Sequence, residues 1–330
     1  IAGRDRKRLS LIFPPLIPLS LLLISISVLL QGAILTYAAY IGEIHLVQRV
    51  HFILIGAIGL GALVGALSLI SAAFGHMKKL EPTVFGVPLS KESSPTLFEF
   101  VEGIGKNLKA TTPKNIVIGL EPTFYVTAAD VNVIGRSPAL KGETLYISAP
   151  LARLFSKEEF AAVIGHELGH FRGEDTAYSM KFSPVYAGLS QALIDLDSGE
   201  DGLDISTLPA YLMLEYMMNI FSRNERFISR ERELKADEAG AEVSSPFSLA
   251  TALAKVTLYS GLWESVREDN FSRLVEGKIT GNLSKVFEDS AKFDVEKNSI
   301  EKIIEHISNK SISHPTDTHP TLNERLKSLG

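Results

Sequence analysis

The chain has 330 residues, 45% of them hydrophobic, with 38 acidic against 33 basic side chains and a formal charge of −5. It has no cysteine, which excludes disulfides and thiolate metal ligands, so any metal must be held by histidines and carboxylates. The mild acidity and the lack of a long basic run give no footprint for nucleic acid, and the length suffices for one sizeable soluble domain plus a membrane portion.

Arg4, Arg6, Lys7 and Arg8 open the chain, and no charged residue follows until Glu43. That apolar stretch is too long for the core of a cleaved leader and long enough to cross a bilayer, which predicts an uncleaved spanning helix from about 18 to 40, beginning near Pro18. Residues 52–75 form a second uncharged stretch, with Ala57, Gly61 and Gly65 one turn apart, a spacing suited to close packing against the first. Lys78 and Lys79 follow it. Cations on both outer flanks predict that the N terminus and everything after residue 80 lie on the cytoplasmic side. The expected division is therefore a membrane anchor over 1–80 and a cytoplasmic domain over 81–330.

Within that domain, Phe98, Val101, Ile104 and Leu108 predict an amphipathic helix starting at Ser94. Residues 116–118, 124–127 and 144–148 read as strands, so a small sheet precedes the next helix. Such a sheet can offer an edge strand to an extended peptide, or it can simply be core.

Ser156 and Glu159 form a capping box, and Phe160, Val163, Ile164, Leu168 and Phe171 recur at helical spacing. On this helix lies His166-Glu167-Leu168-Gly169-His170. Residues four apart share a helix face, so His166 and His170 can present two imidazoles to one ion, and Glu167 is placed to take a proton from a water held there. One Zn²⁺ per chain is the expected cofactor, since zinc accepts N and O ligands and keeps a position for water. Gly165 and Gly169 each cost about 1 kcal/mol relative to alanine inside a helix, which predicts another backbone packed close by. An ordinary polar helix face is the alternative until a partner stretch is found.

Two apolar segments, 182–196 and 208–221, flank an acidic loop and read as core or membrane-surface helices, with two further membrane spans as the alternative. The partner stretch follows at residues 229–240. Glu233 and Asp237 are four apart, with Ala236 and Gly240 small enough for a close helix approach. Glu233 can be the third ligand, and Asp237 can accept the second N–H of a ligand histidine. A solvated helix of paired charges is the competing reading. Residues 246–266 read as a further core helix, 271–293 as an amphipathic one, and 300–307 as a short one.

The pairing of His-Glu-Leu-Gly-His with Ser-Arg-x-x-Glu-x-x-Ala-Asp resembles the HtpX-like family of membrane zinc endopeptidases, which also holds the CAAX prenyl protease and mitochondrial inner-membrane relatives. The resemblance runs from about Phe85 to the C terminus. It implies a mainly α fold with a small β-sheet, in which two N-terminal transmembrane helices precede a gluzincin-type zinc metallopeptidase domain with Glu233 completing His166 and His170. It also matches His319-Pro320 with Arg325 to a family element, implying a role for His319 and Arg325 in stabilising the oxyanion. Family members carry Asn-Ala-Phe/Tyr in the strand before the motif, and here Thr123, Phe124 and Tyr125 stand at the candidate substrate contact. The implied partners are polypeptide substrates, membrane or misfolded proteins, and a lipid bilayer. The implied setting is a bacterial-type inner (cell) membrane, with a role in membrane-protein quality control. The rival readings are a non-catalytic membrane adaptor with a structural zinc, an intramembrane protease and a CAAX-type prenyl-protein protease.

Overall fold

The computed structural model describes residues 22–23, 25–75, 81–172, 208–297 and 320–329. The chain divides into two units, Ile1–Leu80 with Tyr178–Asn224, and Glu81–Ala177 with Glu225–Gly330. It is mainly helical, with small sheets.

In the first unit, helix α1 (residues 25–42) runs into a π-helical turn at Glu43–Val47, and α2 spans Phe52–Gly75. The stretch Ser25–Leu46 is long and apolar enough to cross a membrane. The two helices pack antiparallel: a Cβ placed on Gly32 would overlap Ala62 Cβ, one on Gly59 would lie 3.5 Å from Thr36 Oγ1, and one on Gly65 would lie 3.9 Å from Val28 Cγ1. Small residues on both faces let the backbones approach where side chains would hold them apart. Of the two glycines read on the second stretch, Gly65 has a neighbour in α1, whereas a Cβ on Gly61 would meet nothing within 4 Å; Gly32 and Gly59 make the closer approach.

The second unit begins with β1 (Thr83–Val84) and β2 (Gly86–Leu89), then α3 (Pro95–Leu108). Strands β3 (Asn115–Gly119), β4 (Tyr125–Thr127), β5 (Asn132–Val133) and β6 (Thr144–Ser148) follow. One four-stranded sheet has the order β2-β3-β6-β4, with β3 and β6 parallel and both outer pairs antiparallel; β1 and β5 form a separate parallel pair. The three expected strands are present within a residue at each end. The two-residue strands β1 and β5, and β2 with its internal proline, carry too little pattern to stand out in sequence.

Helix α4 (Ala149–Ala152) leads into α5 (Lys157–Gly169), whose N terminus carries the expected capping box. Two helices expected as separate segments are one: α6 runs unbroken over Leu208–Val243, joining the apolar 208–221 stretch to the charged one. Helix α7 (Pro246–Val275) is nine residues longer than expected, and the expected amphipathic segment 271–293 is split by a turn at Gly277 (φ +76°) before α8 (Leu283–Lys297). A glycine that takes a left-handed conformation without strain stops α7 there. The last helix is α9 (Leu322–Ser328). Segments 182–196 and 300–307 lie outside the described residues.

The main core lies between one face of the four-stranded sheet and helices α3, α5, α7 and α8. Phe98, Leu108, Ile116, Leu145, Ile147, Ile164, Leu168, Trp263 and Phe287 are all buried in it. Val117, Tyr146, Val131 and Val133 form a second cluster on the sheet's other face.

Candidate metal centre

Helix α5 is held from three sides. Its capping box joins Ser156 and Glu159, and Lys255 Nζ of α7 donates to Glu159 Oε2 at 2.7 Å and to Leu154 O at 2.9 Å. Burial alone would push the Glu159 carboxyl up, but Lys255 and the Ser156 backbone more than offset it and hold it below the usual range. The helix packs on α3 and α7.

Against its remaining side lies α6. A Cβ on Gly165 would sit 2.8 Å from Val243 Cγ2, and one on Gly169 2.9 Å from Ala239 Cβ and 3.0 Å from Ala236 Cα. From the other helix, a Cβ on Gly240 would sit 2.7 Å from Ala162 O and 3.3 Å from His166 Cβ. Real Cβ contacts do not come this close, so the crossing exists only with glycine at these positions. The close backbone expected from Gly165 and Gly169 is α6.

That crossing brings the charged face of α6 onto the histidines. His166 Nε2 is 3.7 Å from Glu233 Oε2, and His170 Nε2 is 3.6 Å from Glu233 Oε1. Ligand atoms of the three residues all lie within 4.8 Å of one another. Three donors about 2.1 Å from a tetrahedral centre stand about 3.4 Å apart, so the two histidine–Glu233 spacings are close to those of ligands sharing a small cation. Burial pushes His170 down to about 3, and the neighbouring His166 adds to this, so its imidazole is neutral and carries a lone pair. Glu167 is buried beside the group.

Behind His166 sits Asp237. The Nδ1–H of His166 donates to Asp237 Oδ1 at 2.9 Å, which turns Nε2, the nitrogen able to ligate a metal, toward Glu233. Arg325, on α9, donates to the same carboxylate through Nε at 2.9 Å and a terminal nitrogen at 2.5 Å. That terminal nitrogen also lies 3.4 Å from His166 Nδ1, but both are donors in this tautomer, so the Asp237 contacts are the real hydrogen bonds. Burial would raise Asp237, yet the hydrogen bonds from Arg325 and His166 prevail and hold it below its ordinary value. The other terminal nitrogen of Arg325 is 3.9 Å from Glu233 Oε2.

The structure thus brings together His166, Glu167, His170, Glu233, Asp237 and Arg325 from α5, α6 and α9. His319 lies outside the described residues. Glu324 does not pair with Arg325; it closes a capping box with Thr321 at the start of α9. The Thr-x-x-Glu signature of that box was present in the sequence. The meeting of Arg325 with Asp237 had no sequence signal, because the two are 88 positions apart.

Thr123, Phe124 and Tyr125 lie at the entry to β4, an outer strand of the sheet that also touches α5. Phe124 is buried against Phe155 and Phe160, and Tyr125 stacks on Tyr146 with ring centroids 5.0 Å apart. Burial pushes the Tyr125 hydroxyl up to about 12. Both side chains are committed to packing, whereas Thr123 is exposed and its hydroxyl donates to Phe124 O at 3.2 Å.

Residues 122–330 match the profile of Peptidase family M48. A protease HtpX homolog of Archaeoglobus fulgidus is 25% identical over 310 residues, covering 91% of this chain and 84% of that protein. One of Thermococcus sibiricus is 29% identical over 180 residues, covering 51% of this chain and 59% of that protein. The crystal structure of S. mikatae Ste24p aligns with 91% of this chain and 62% of its own at 15% identity, with a TM-score of 0.36, too slight a likeness to carry a comparison.

Proposed function

Since the chain belongs to Peptidase family M48, we propose that it is a membrane-anchored zinc endopeptidase acting on polypeptides, with His166, His170 and Glu233 as the metal ligands. The observation that supports this reading is the convergence of those three ligand atoms within 4.8 Å of one another beside buried Glu167. When bound, Zn²⁺ supplies a Lewis acid for the scissile carbonyl and lowers the pKa of water at the site.

The chain's own residues do the rest. Glu167 adjoins the ligands in sequence, and we assign it the general base. It takes the proton of the attacking water as the water adds to the carbonyl carbon, and returns it to the leaving amine as the C–N bond breaks. Asp237 fixes the His166 tautomer and ring orientation, and Arg325 fixes Asp237. The Arg325 nitrogen turned toward Glu233 is the part of that side chain able to meet negative charge developing on the carbonyl oxygen, with His319 as the second candidate. The β4 backbone, entered through Thr123, Phe124 and Tyr125, is assigned to align the extended substrate. Three protein ligands leave a position for water, which favours catalysis over a structural zinc site in an adaptor.

For the membrane, the reading is an anchor over 1–80 with two spans and a peptidase domain over 81–330. The cations flanking the two stretches support assigning that domain to the cytoplasmic side of an inner or cell membrane, with surveillance of membrane or misfolded proteins as the proposed role.

The test is metal content beside digestion of an unfolded protein such as casein, comparing the wild type with Glu167→Gln. The variant is expected to keep one zinc and lose proteolysis. Full activity in a purified, metal-loaded Glu167→Gln protein would end the catalytic reading.

A further inference from the structure

We propose that helix α9 is a latch on the metal centre, seated by Leu322 and Leu329 and linked to His166 through Arg325 and Asp237, so that its docking and metal binding are one coupled equilibrium; this rests on reading His166, His170 and Glu233 as metal ligands.

Helix α9 has seven residues. A helix shorter than about 12–15 residues is marginal in water, so what α9 packs against decides whether it forms. Leu322, Arg325 and Leu329 follow one another at helical spacing and share one face. The two leucines, half-buried, pack on a cluster of Ala162, Leu249 and Leu253, with Ala241 beside them. Ala162 belongs to α5, Ala241 to α6 and the other two to α7, so the seat lies across both helices that present the ligands. The carbonyl of Ala162 is also the atom that Gly240 approaches at the α5–α6 crossing. Between the two leucines, Arg325 reaches both oxygens of Asp237, and Arg230 of α6 stands 3.8 Å from Glu324. Yet no residue of α9 is itself fully buried. A short helix held on a shallow seat belongs to the low-stability end of a fold and opens without the rest unfolding.

Charge and geometry together set the sign of the coupling. Arg325 lies 2.5–2.9 Å from Asp237 but 3.9 Å from Glu233, so Asp237 balances its charge. Glu167 and Glu233 remain as two buried negative charges, which match a divalent ion. Repulsion between the guanidinium and the ion is therefore small beside what docking does for orientation. With α9 undocked, Asp237 loses the partner that fixes it, and the His166 ring loses its fixed direction. Docked α9 accordingly strengthens metal binding. By reciprocity, bound metal strengthens the docking of α9 by the same factor. Changes to the partners of ligand histidines set its size at about 10–100-fold.

The experiment reads both directions in the full chain. Amide hydrogen exchange of the wild type, with and without zinc, is expected to slow about tenfold or more over residues 322–329, with α8 little changed. In chelator competition, Leu322→Ser combined with Leu329→Ser is expected to weaken zinc binding about tenfold or more. Lys327→Ser, on the exposed side of α9, and the conservative Leu329→Met should each keep the wild-type affinity. Exchange of α9 unchanged by zinc, or slowed no more than that of α8, overturns the latch. Wild-type affinity in the double serine variant, or an equal loss in Lys327→Ser, overturns it as well. If the double variant fails to fold, the wild-type exchange decides alone. A wild type that takes up no zinc removes the ligand assignment itself, and the latch with it.

Discussion

His166 Nδ1 lies 2.9 Å from Oδ1 of Asp237, a carboxylate whose side chain has no exposed surface. This bond decides which nitrogen of His166 faces the cluster, because a neutral ring has one donor and one acceptor. It also ties α5 to α6 at the point where glycines already force the two helices together. Asp237→Asn keeps the shape but can turn its amide donor toward Nδ1 and favour the wrong tautomer. Metal affinity or activity is expected to fall about 10–100-fold, as changes to the partners of ligand histidines do. Competition against a graded chelator measures the first, and an unchanged affinity would show that Asp237 does not set the tautomer.

Arg325 holds both oxygens of Asp237 from α9. Arg325→Gln leaves a buried carboxylate with one charged partner fewer, a loss on the order of 3–5 kcal/mol for a buried pair. The expected outcome is a lower melting temperature together with weaker metal binding. A fall in kcat at full zinc occupancy and unchanged melting temperature would instead assign Arg325 wholly to the transition state.

Glu233 and Glu231 are two residues apart on α6 with opposite fates. Glu233 is buried between the histidines, whereas Glu231 pairs with Lys235 on a more exposed face. Glu233→Ala is expected to lose most bound zinc, and Glu231→Ala to change little, since exposed ion pairs contribute about 0–1 kcal/mol. Metal analysis of the two purified variants side by side decides it, and equal zinc in both would remove Glu233 from the ligand set.

Gly240→Ala tests the helix crossing. The new methyl would meet Ala162 O at 2.7 Å, a backbone atom that can yield only by moving α5. Overpacking of this kind costs about 1–3 kcal/mol, against a gain of about 1 kcal/mol in helix propensity. The variant should melt lower and, because α5 carries both histidines, bind metal less tightly. A higher melting temperature would show that the crossing is looser than described.

Glu159 gives a prediction for acid. Its carboxyl is held below its ordinary value, so the stability it contributes is present above the unfolded-state value of about 4.3 and is lost as pH falls through the lower folded value. Glu159→Gln can keep the capping bond, since a glutamine oxygen also accepts the Ser156 N–H, and removes the charge that pairs with Lys255. At neutral pH the variant should be less stable than the wild type, and the difference should shrink as the pH drops below about 4. Denaturant titrations across that range read it directly, and a gap constant with pH would mean that Glu159 contributes no charge interaction.

Much of this centre was legible locally. A helix face repeats every three to four residues, so His166 with His170 and Glu233 with Asp237 announce themselves as pairs on single faces. Ser156 with Glu159 marks where the first of these helices starts, and the small residues Gly165, Gly169, Ala236 and Gly240 mark which sides come together. What stayed illegible was short or distant. Strands β1 and β5, two residues each, have no period to detect, and α6 looked like two segments because its composition changes along its length while its backbone does not.

The sequence by itself determined which candidate donors share a helix face, their spacing and the need for a close helix crossing, because each of these is a property of one helix and its own periodicity. Only the tertiary structure decided that Arg325, 88 positions from Asp237, closes the back of His166, and that Phe124 and Tyr125 spend their side chains on packing. Those relationships depend on how separate elements meet across the core. Nothing in the local pattern around Arg325 distinguishes a guanidinium that will face a carboxylate on another helix from one that will face water.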